Sequence, residues 1–225
     1  MRTCVIIPAY NESKTIAGLI KQVILLGFKV IVIDDGSNDS TADIAQTSGA
    51  TVLRSIKNSG KGAALVKGYN FAVAQGFDAV ISMDGDGQHE PKDLAVFVKR
   101  AESSNCGIVI GNRMTTISKM PVLRILTNHF MSWLISLITK QNIADTQCGF
   151  RLVRSDVLKK IILSTTKYET ESEILIRAAR LGINIESVPV ETIYSGQRSQ
   201  INPLVDTLRF LRFMFSEFMG GHKHV

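Results

Sequence analysis

Cysteine is scarce in this chain. Cys4, Cys106 and Cys148 are three in 225 residues, odd in number and widely spaced. That excludes a disulfide framework and a cysteine-built metal cluster, and it favours a reducing compartment. Cys4 and Cys106 lie in apolar runs and read as buried free thiols. No uninterrupted apolar stretch reaches the roughly 20 residues a helix needs to cross a bilayer. Internal repeats and low-complexity tracts are missing too. The chain enters its first apolar run at Thr3, which leaves no room for a signal peptide, so a cytoplasmic protein is expected. The net charge is +6. The basic residues are scattered and no stacked aromatic set accompanies them, so nucleic acid is not an expected partner.

What is present is an alternation. Thr3–Pro8, Lys29–Ser37 and Thr51–Arg54 are short β-rich runs, the first closed by proline and the second by carboxylates and glycine. Segments of helical period lie between and after them, at Ile16–Leu26, Ala42–Ser48 and Ala63–Ala74. This pattern predicts a mostly parallel sheet with helices on both faces, in one domain large enough for a sizeable core. Ser37, Asn38, Asp39, Ser40 and Thr41 supply helix-capping side chains where the second run ends.

The most telling stretch is Asp84-Gly85-Asp86-Gly87-Gln88-His89, directly after the apolar run Asp78–Met83. Open α/β sheets bind ligands at the carboxyl ends of their strands. Two carboxylates there suit Mg²⁺ or Mn²⁺, ions commonly held by one or two carboxylates together with substrate phosphates. Asp34 and Asp35 end a second strand and point to a shared cleft, with an ordinary turn as the alternative. Lys61, between Gly60 and Gly62 at a helix start, can face a phosphate or simply solvent. Its surroundings are not those of a P-loop, because the second glycine follows the lysine and no Ser or Thr comes next.

These motifs, in order, resemble the family-2 glycosyltransferases of the GT-A fold, and most closely their dolichol- or polyprenyl-phosphate hexose transferase branch. The residues carrying the likeness are Val5–Glu12, Val32–Ser37, Asp39–Thr41, Gly60–Ala64, Met83–Pro91, Gly111–Arg113, Asp145–Arg151 and Tyr168–Glu171. The resemblance implies a GT-A domain over residues 1–201, followed by an amphipathic helix and tail over 202–225. It implies transfer of a hexose from a GDP-mannose or UDP-glucose type of donor to a polyprenyl or dolichyl phosphate, with inversion. Pro8, Tyr10, Glu12 and Asp35 would border the base and ribose, with Lys61 and Asp84 near the diphosphate. Asp84, Asp86 and Gln88 would hold Mg²⁺ or Mn²⁺. Arg113, Arg151 and Arg198 would grip the acceptor phosphate, since guanidinium groups bind phosphate oxygens bidentately. Arg198 lies in Tyr194-Ser195-Gly196-Gln197-Arg198-Ser199; many relatives carry Lys directly after that serine, where Gln200 stands here, which leaves the positive group at Arg198. Asp86, Arg113, Asp145 and Glu171 would sit nearest the reacting centre. Glu12 has a second reading, as a cap for the helix beginning near Ser13.

A lipid phosphate is already an anion at neutral pH, so such an acceptor needs no strong general base. Two other functions stay open on the residues alone: a same-fold enzyme that glycosylates a saccharide hydroxyl, and a non-catalytic nucleotide-sugar-binding subunit. Two segments have the composition of membrane-surface helices, Pro121–Lys140 and Asn202–Met219, and the phenylalanine-rich second one is the stronger candidate. The alternative for each is an apolar face packed on the core. The chain ends in Gly220-Gly221-His222-Lys223-His224-Val225, so anchoring is expected to be peripheral or through a membrane-protein partner.

Overall fold

The computed structural model describes residues 1–115, 122–193 and 203–219. Among these residues seven strands form one sheet: β1 Thr3–Ala9, β2 Lys29–Asp34, β3 Thr51–Arg54, β4 Ala79–Ser82, β5 Ile108–Asn112, β6 Arg151–Arg154 and β7 Ile185–Pro189. Their spatial order is β3-β2-β1-β4-β6-β5-β7. β6 runs antiparallel to both β4 and β5, and the remaining pairs are parallel. The interior strands are mostly apolar because they are covered on both faces, as parallel sheets require, with Arg151 and Arg154 on β6 the main exceptions. Val5, Ile6, Ile7, Val32, Ile33, Val80, Ile81, Val109 and Leu152 are without exposure. The edge strand β3 is short and half-exposed.

Among the described residues the α-helices are α1 Ile16–Leu25, α2 Thr41–Thr47, α3 Lys61–Ala74, α4 Leu94–Ser103, α5 Val122–Thr139, α6 Ser155–Leu158, α7 Glu169–Arg180 and α8 Pro203–Met219. Helices α1, α2 and α4 cover one face, while α3, α6 and α7 cover the other, with α5 and α8 packed on α7. The expected runs thus fold as strands and helices with ends shifted by a residue or two, and the doubly wound sheet is as read from the alternation. Helix α8 does not stand free. Phe210, Met214 and Glu217 are buried, and Glu217 pairs with Arg180 at 2.6 Å and Arg177 at 3.2 Å on α7. Among the described residues no helix is long and apolar enough to cross a membrane.

The order β2-β1-β4 places the reversal of winding between β1 and β4. That is where an open α/β sheet leaves a crevice outside its carboxyl edge. Residues 9–13, 34–37 and 83–89 all emerge there.

Candidate active site

The loop after β1 is zipped to the loop after β2. Asn11 takes a left-handed backbone (φ 58°), Asn11 N donates to Ser37 Oγ at 2.9 Å, and Asn11 Oδ1 accepts from Asn38 N at 2.9 Å. Glu12 N donates to Thr41 Oγ1 at 2.8 Å, and Ser13 N to Asp39 Oδ2 at 3.3 Å. The polar cluster at Ser37–Thr41 therefore orders the β1 loop, and Asp39 Oδ1 also accepts from Thr41 N, the first residue of α2, at 3.0 Å. Pro8 and Tyr10 are half-buried on this wall. Glu12 receives the first helical N–H groups through its backbone carbonyl, while its carboxylate accepts from Thr15 Oγ1 at 3.3 Å. The carboxylate is thus not the helix cap.

Asp35 is buried and accepts from Ser59 N at 3.0 Å and Gly60 N at 2.7 Å. Its carboxylate fixes the loop that leads into α3, and Gly60 turns there with φ 105°. The helix so placed begins with Lys61. Lys61 Nζ lies 2.7 Å from Asp84 Oδ1 and 3.2 Å from Glu171 Oε1. It is neither solvated nor free. Burial lowers the Lys61 ammonium's proton affinity, but the two carboxylates outweigh that and hold it above the usual lysine range.

The Asp84 loop meets the β1 loop directly: a side chain on Gly85 would touch the Pro8 carbonyl at 3.3 Å and Glu12 Cγ at 3.4 Å. Thr15 Oγ1 donates to Gly85 O at 2.7 Å. From the far side Gly149 closes in, where an added Cβ would stand 2.7 Å from Asp84 Oδ2 and 2.9 Å from Lys61 Nζ. Only a residue without a side chain fits that approach.

The three acids of this corner differ. Burial pushes the Asp84 carboxyl up, yet Lys61 and the His89 side chain outweigh it and hold it well below the usual range. Asp86 is raised by burial and then by the charge of Asp84. Glu12 is raised by burial and then by Asp86. Negative charge is thus compensated at Asp84 and uncompensated at Asp86 and Glu12, which fits a divalent cation on the Asp86 side. Among the described residues no three His, Cys, Asp or Glu side chains form a preformed metal cage. The donors present are carboxylates and the Gln88 amide, the hard-oxygen set that Mg²⁺ or Mn²⁺ takes along with substrate oxygens. Gln88 is held in place by its own N–H, which donates to Asp86 Oδ1 at 2.9 Å, and by its carbonyl, which accepts from Ile193 N at 2.9 Å.

His89 carries no role in the sequence reading beyond its place in the motif. It is buried, its Nε2 lies 3.4 Å from Asp84 Oδ2, and its ring packs on Phe150 with centroids 5.0 Å apart. Its position next to Gln88 was the available signal; its inward direction was not readable from the chain.

On the other side of the cleft, Arg113 follows β5 and is buried against Asp145. Arg113 Nε donates to Asp145 Oδ2 at 2.7 Å, Nη2 to Oδ1 at 2.9 Å, and the backbone N to Oδ2 at 3.1 Å. Asp145 has no exposure and is spent on this pair. Its loop is bolted to α5, where Ser132 Oγ accepts from Thr146 N at 2.9 Å.

Arg151 needs correction as an acceptor-phosphate residue. It is wholly buried inside the sheet, its Nε donating to Cys148 O at 2.6 Å, Nη2 to Thr146 O at 2.6 Å, and Nη1 to Glu171 O. The guanidinium braces three carbonyls of the site's walls and does not face the cleft. A strand position ending in Arg-Leu-Val-Arg gives no hint of this, because β6 is the antiparallel insert between β4 and β5. Arg198, Pro121, His222 and His224 lie outside the described residues. Lys61, Asp84 and Glu171 come together in one ion-paired group, Glu12 and Asp86 adjoin it, and Arg113 with Asp145 forms the opposite wall.

Comparison with known proteins agrees with this architecture. The family model described as "Glycosyl transferase family 2" matches residues 4–162. An undecaprenyl-phosphate mannosyltransferase of Micrococcus luteus is 31% identical over 208 residues, covering 84% of this chain and 83% of that protein. A UDP-N-acetylglucosamine–dolichyl-phosphate N-acetylglucosaminyltransferase of Methanococcus voltae is 30% identical over 213 residues, covering 84% and 85%. Among solved structures, glucosyl-3-phosphoglycerate synthase from Mycobacterium tuberculosis, in complex with Mn²⁺, UDP-glucose and phosphoglyceric acid, superposes with a TM-score of 0.75. It is 22% identical, with 97% of this chain and 79% of that chain covered, a likeness of fold.

Proposed function

We propose, from the premise that this chain belongs to glycosyl transferase family 2 and has the GT-A fold, that it transfers a hexose from a nucleotide-diphosphate sugar to a polyprenyl phosphate. The donor is of the GDP-mannose or UDP-glucose type. The relatives from Micrococcus luteus and Methanococcus voltae bear names of lipid-phosphate sugar transferases and support that acceptor class.

The observation that carries the reading is the state of the two carboxylates best placed to act as a base. Asp145 is spent on Arg113, and Glu171 stands against Lys61. A hydroxyl acceptor needs a carboxylate free to take its proton; a phosphate acceptor arrives as an anion. In the proposed reaction a phosphate oxygen attacks the anomeric carbon from the face opposite the nucleotide. The bond between that carbon and the β-phosphate oxygen breaks, and the nucleoside diphosphate leaves.

Pro8, Tyr10, Glu12 and Asp35 form the wall for base and ribose. Lys61 contributes positive charge beside the leaving diphosphate and keeps Asp84 in place. Arg113, made rigid by Asp145, presents the remaining guanidinium donors to the acceptor phosphate, a positioning and electrostatic role. Arg198 is proposed for the same phosphate. Asp86, with Asp84 and Gln88, would hold Mg²⁺ or Mn²⁺, which when bound neutralises charge on the departing diphosphate. The catalytic domain is proposed to be residues 1–201, with 202–225 as a docked helix and tail, and the enzyme to work at the cytoplasmic face of a membrane as a peripheral protein.

The test is sugar transfer by the purified protein from a panel of UDP- and GDP-sugars, with Mn²⁺ or Mg²⁺. Polyprenyl phosphate and a free saccharide are offered together. Labelled lipid from one donor is expected; label confined to the saccharide would overturn the acceptor assignment.

A further inference from the structure

Helix α7 carries two carboxylates two positions apart, so they leave the helix on different faces. Glu171 reaches Lys61. Glu173 has no exposure and turns to the loop that precedes its own helix. Its Oε1 accepts from Ser164 N at 3.1 Å and Ser164 Oγ at 2.7 Å, and its Oε2 from Thr165 N at 2.9 Å and Thr165 Oγ1 at 2.7 Å. Arg177 Nη2 adds a longer bond to Oε1 at 3.4 Å. Burial raises the Glu173 carboxyl, yet Ser164 and then Thr165 outweigh it and hold it below the usual range. A buried charge spent on a loop needs a reason, because an apolar side chain would cover the same helix face without the desolvation penalty.

The reason lies in what the loop touches. Ser164, Thr165, Thr166 and Lys167 are a polar run with no apolar side chain to anchor it. The run nevertheless forms a socket for the first turn of α3. Thr166 O accepts from Ala63 N at 2.9 Å. Gly62 packs so closely on Thr170 Oγ1 and the Lys167 carbonyl that an added Cβ would strike both. Thr165 Oγ1 also meets Thr170 Oγ1 at 2.8 Å, which joins the loop to the start of α7. On the other side, Asp35 fixes the backbone just before α3, at Ser59 and Gly60. Lys61 is the residue between these two anchors.

We propose that Glu173 is a positioning residue for Lys61: it sets the Ser164–Thr170 socket, and the socket sets where the ammonium stands between Asp84 and Glu171. The tolerance is small. Lys61 Nζ is 2.7 Å from Asp84 Oδ1 and 3.2 Å from Glu171 Oε1, so a retreat of about 1 Å would take both contacts beyond hydrogen-bond reach. The consequence for catalysis rests on the reading of Lys61 as a contact of the donor diphosphate, and the test separates the two.

Glu173→Gln keeps the shape of the side chain, but its NH2 must face the Ser164 or the Thr165 N–H, a donor against a donor. Lysine reactivity reads the result without any substrate. Full-length protein is labelled briefly with an amine-acylating reagent, and each lysine is quantified by peptide mass spectrometry. Lys61 is expected to react at least about fivefold faster relative to the exposed Lys99, since an unpaired N–H favours local opening of the socket. Lys67, farther along α3 and bonded to the Arg54 carbonyl at 2.9 Å, is expected to keep its wild-type rate. Thr165→Val, which removes one hydroxyl of the socket, should give the same pattern at smaller amplitude, and it carries the test if Glu173→Gln does not fold. Unchanged Lys61 reactivity in a folded variant would overturn the proposal. So would release of Lys61 and Lys67 together, the mark of a brace for the whole helix. Calorimetry with UDP and with GDP, each with Mn²⁺, is the second arm. Glu173→Gln should weaken the nucleotide that binds at least about fivefold, and should add less than about twofold to the effect of Lys61→Met. Selective release of Lys61 with nucleotide binding unchanged in both variants supports the positioning role, and the diphosphate reading of Lys61 fails instead.

Discussion

Asp145→Asn removes one charge and almost no volume. In the native protein Asp145 is without exposure and takes three hydrogen bonds from Arg113, at 2.7, 2.9 and 3.1 Å. With an amide there, the Arg113 guanidinium stays buried and loses its counter-charge. Breaking one side of a buried pair costs about 3–5 kcal/mol, because the surviving charge is left uncompensated and away from water. For a domain of this size each kcal/mol is worth about 2–4 °C, so Tm should fall by roughly 6–20 °C. Differential scanning calorimetry measures this, with circular dichroism at low temperature to establish that the variant is folded. Adding Arg113→Met removes the second charge and should recover much of the loss, since no unpaired buried charge remains and the amide at position 145 can still accept from the backbone N–H of residue 113. Transfer should not recover, because the guanidinium proposed for the acceptor phosphate is gone. A Tm within about 2 °C of wild type in the single variant would refute the reasoning. It would mean that the pair is wetter than its geometry implies, and Asp145 would again be available as a base.

Asp86→Asn should raise the stability of the metal-free protein near neutral pH. Burial and Asp84 raise the Asp86 carboxyl, so the folded state favours its protonated form. Stability from this group is present at low pH and is lost as pH rises through the raised folded value. The variant's gain should therefore shrink as pH falls into the carboxylate range, and a gain independent of pH would count against the charge argument. Mn²⁺ should raise Tm for wild type and not for Asp86→Asn, and equal shifts would remove Asp86 from the metal assignment. Arg151→Met should lower Tm without changing the acceptor KM, since the side chain braces three carbonyls inside the sheet. A raised KM with unchanged Tm would return it to the acceptor site.

Much of the framework is legible in the chain because it depends on local pattern. β3 occupies Thr51–Arg54, the run read from its composition, and β2 ends at Asp34 where the carboxylates begin. The acids after β4 and β2 reach one crevice because consecutive right-handed β-α-β units leave their carboxyl ends on one edge. Side-chain partners are another matter. Whether Lys61 meets solvent or Asp84 depends on Asp35 pulling in the Ser59–Gly60 backbone and on Gly149 approaching from a distant loop. Arg113 and Arg151 are the same residue type near strand ends, yet one borders the cleft and the other is sealed in the sheet.

The sequence by itself determined the class of fold, the strand ends that carry acids, and the family, because periodicity and short motifs are written in adjacent residues. Tertiary structure alone decided which charges are compensated. Lys61 neutralises Asp84 but not Asp86, and Arg113 consumes Asp145, through contacts spanning 23 and 32 residues of chain. It also decided the orientation of α5. Apolar periodicity shows that a helix has two faces; only the packing of Ser132 onto Thr146 turns the polar one inward and leaves Trp133 outside.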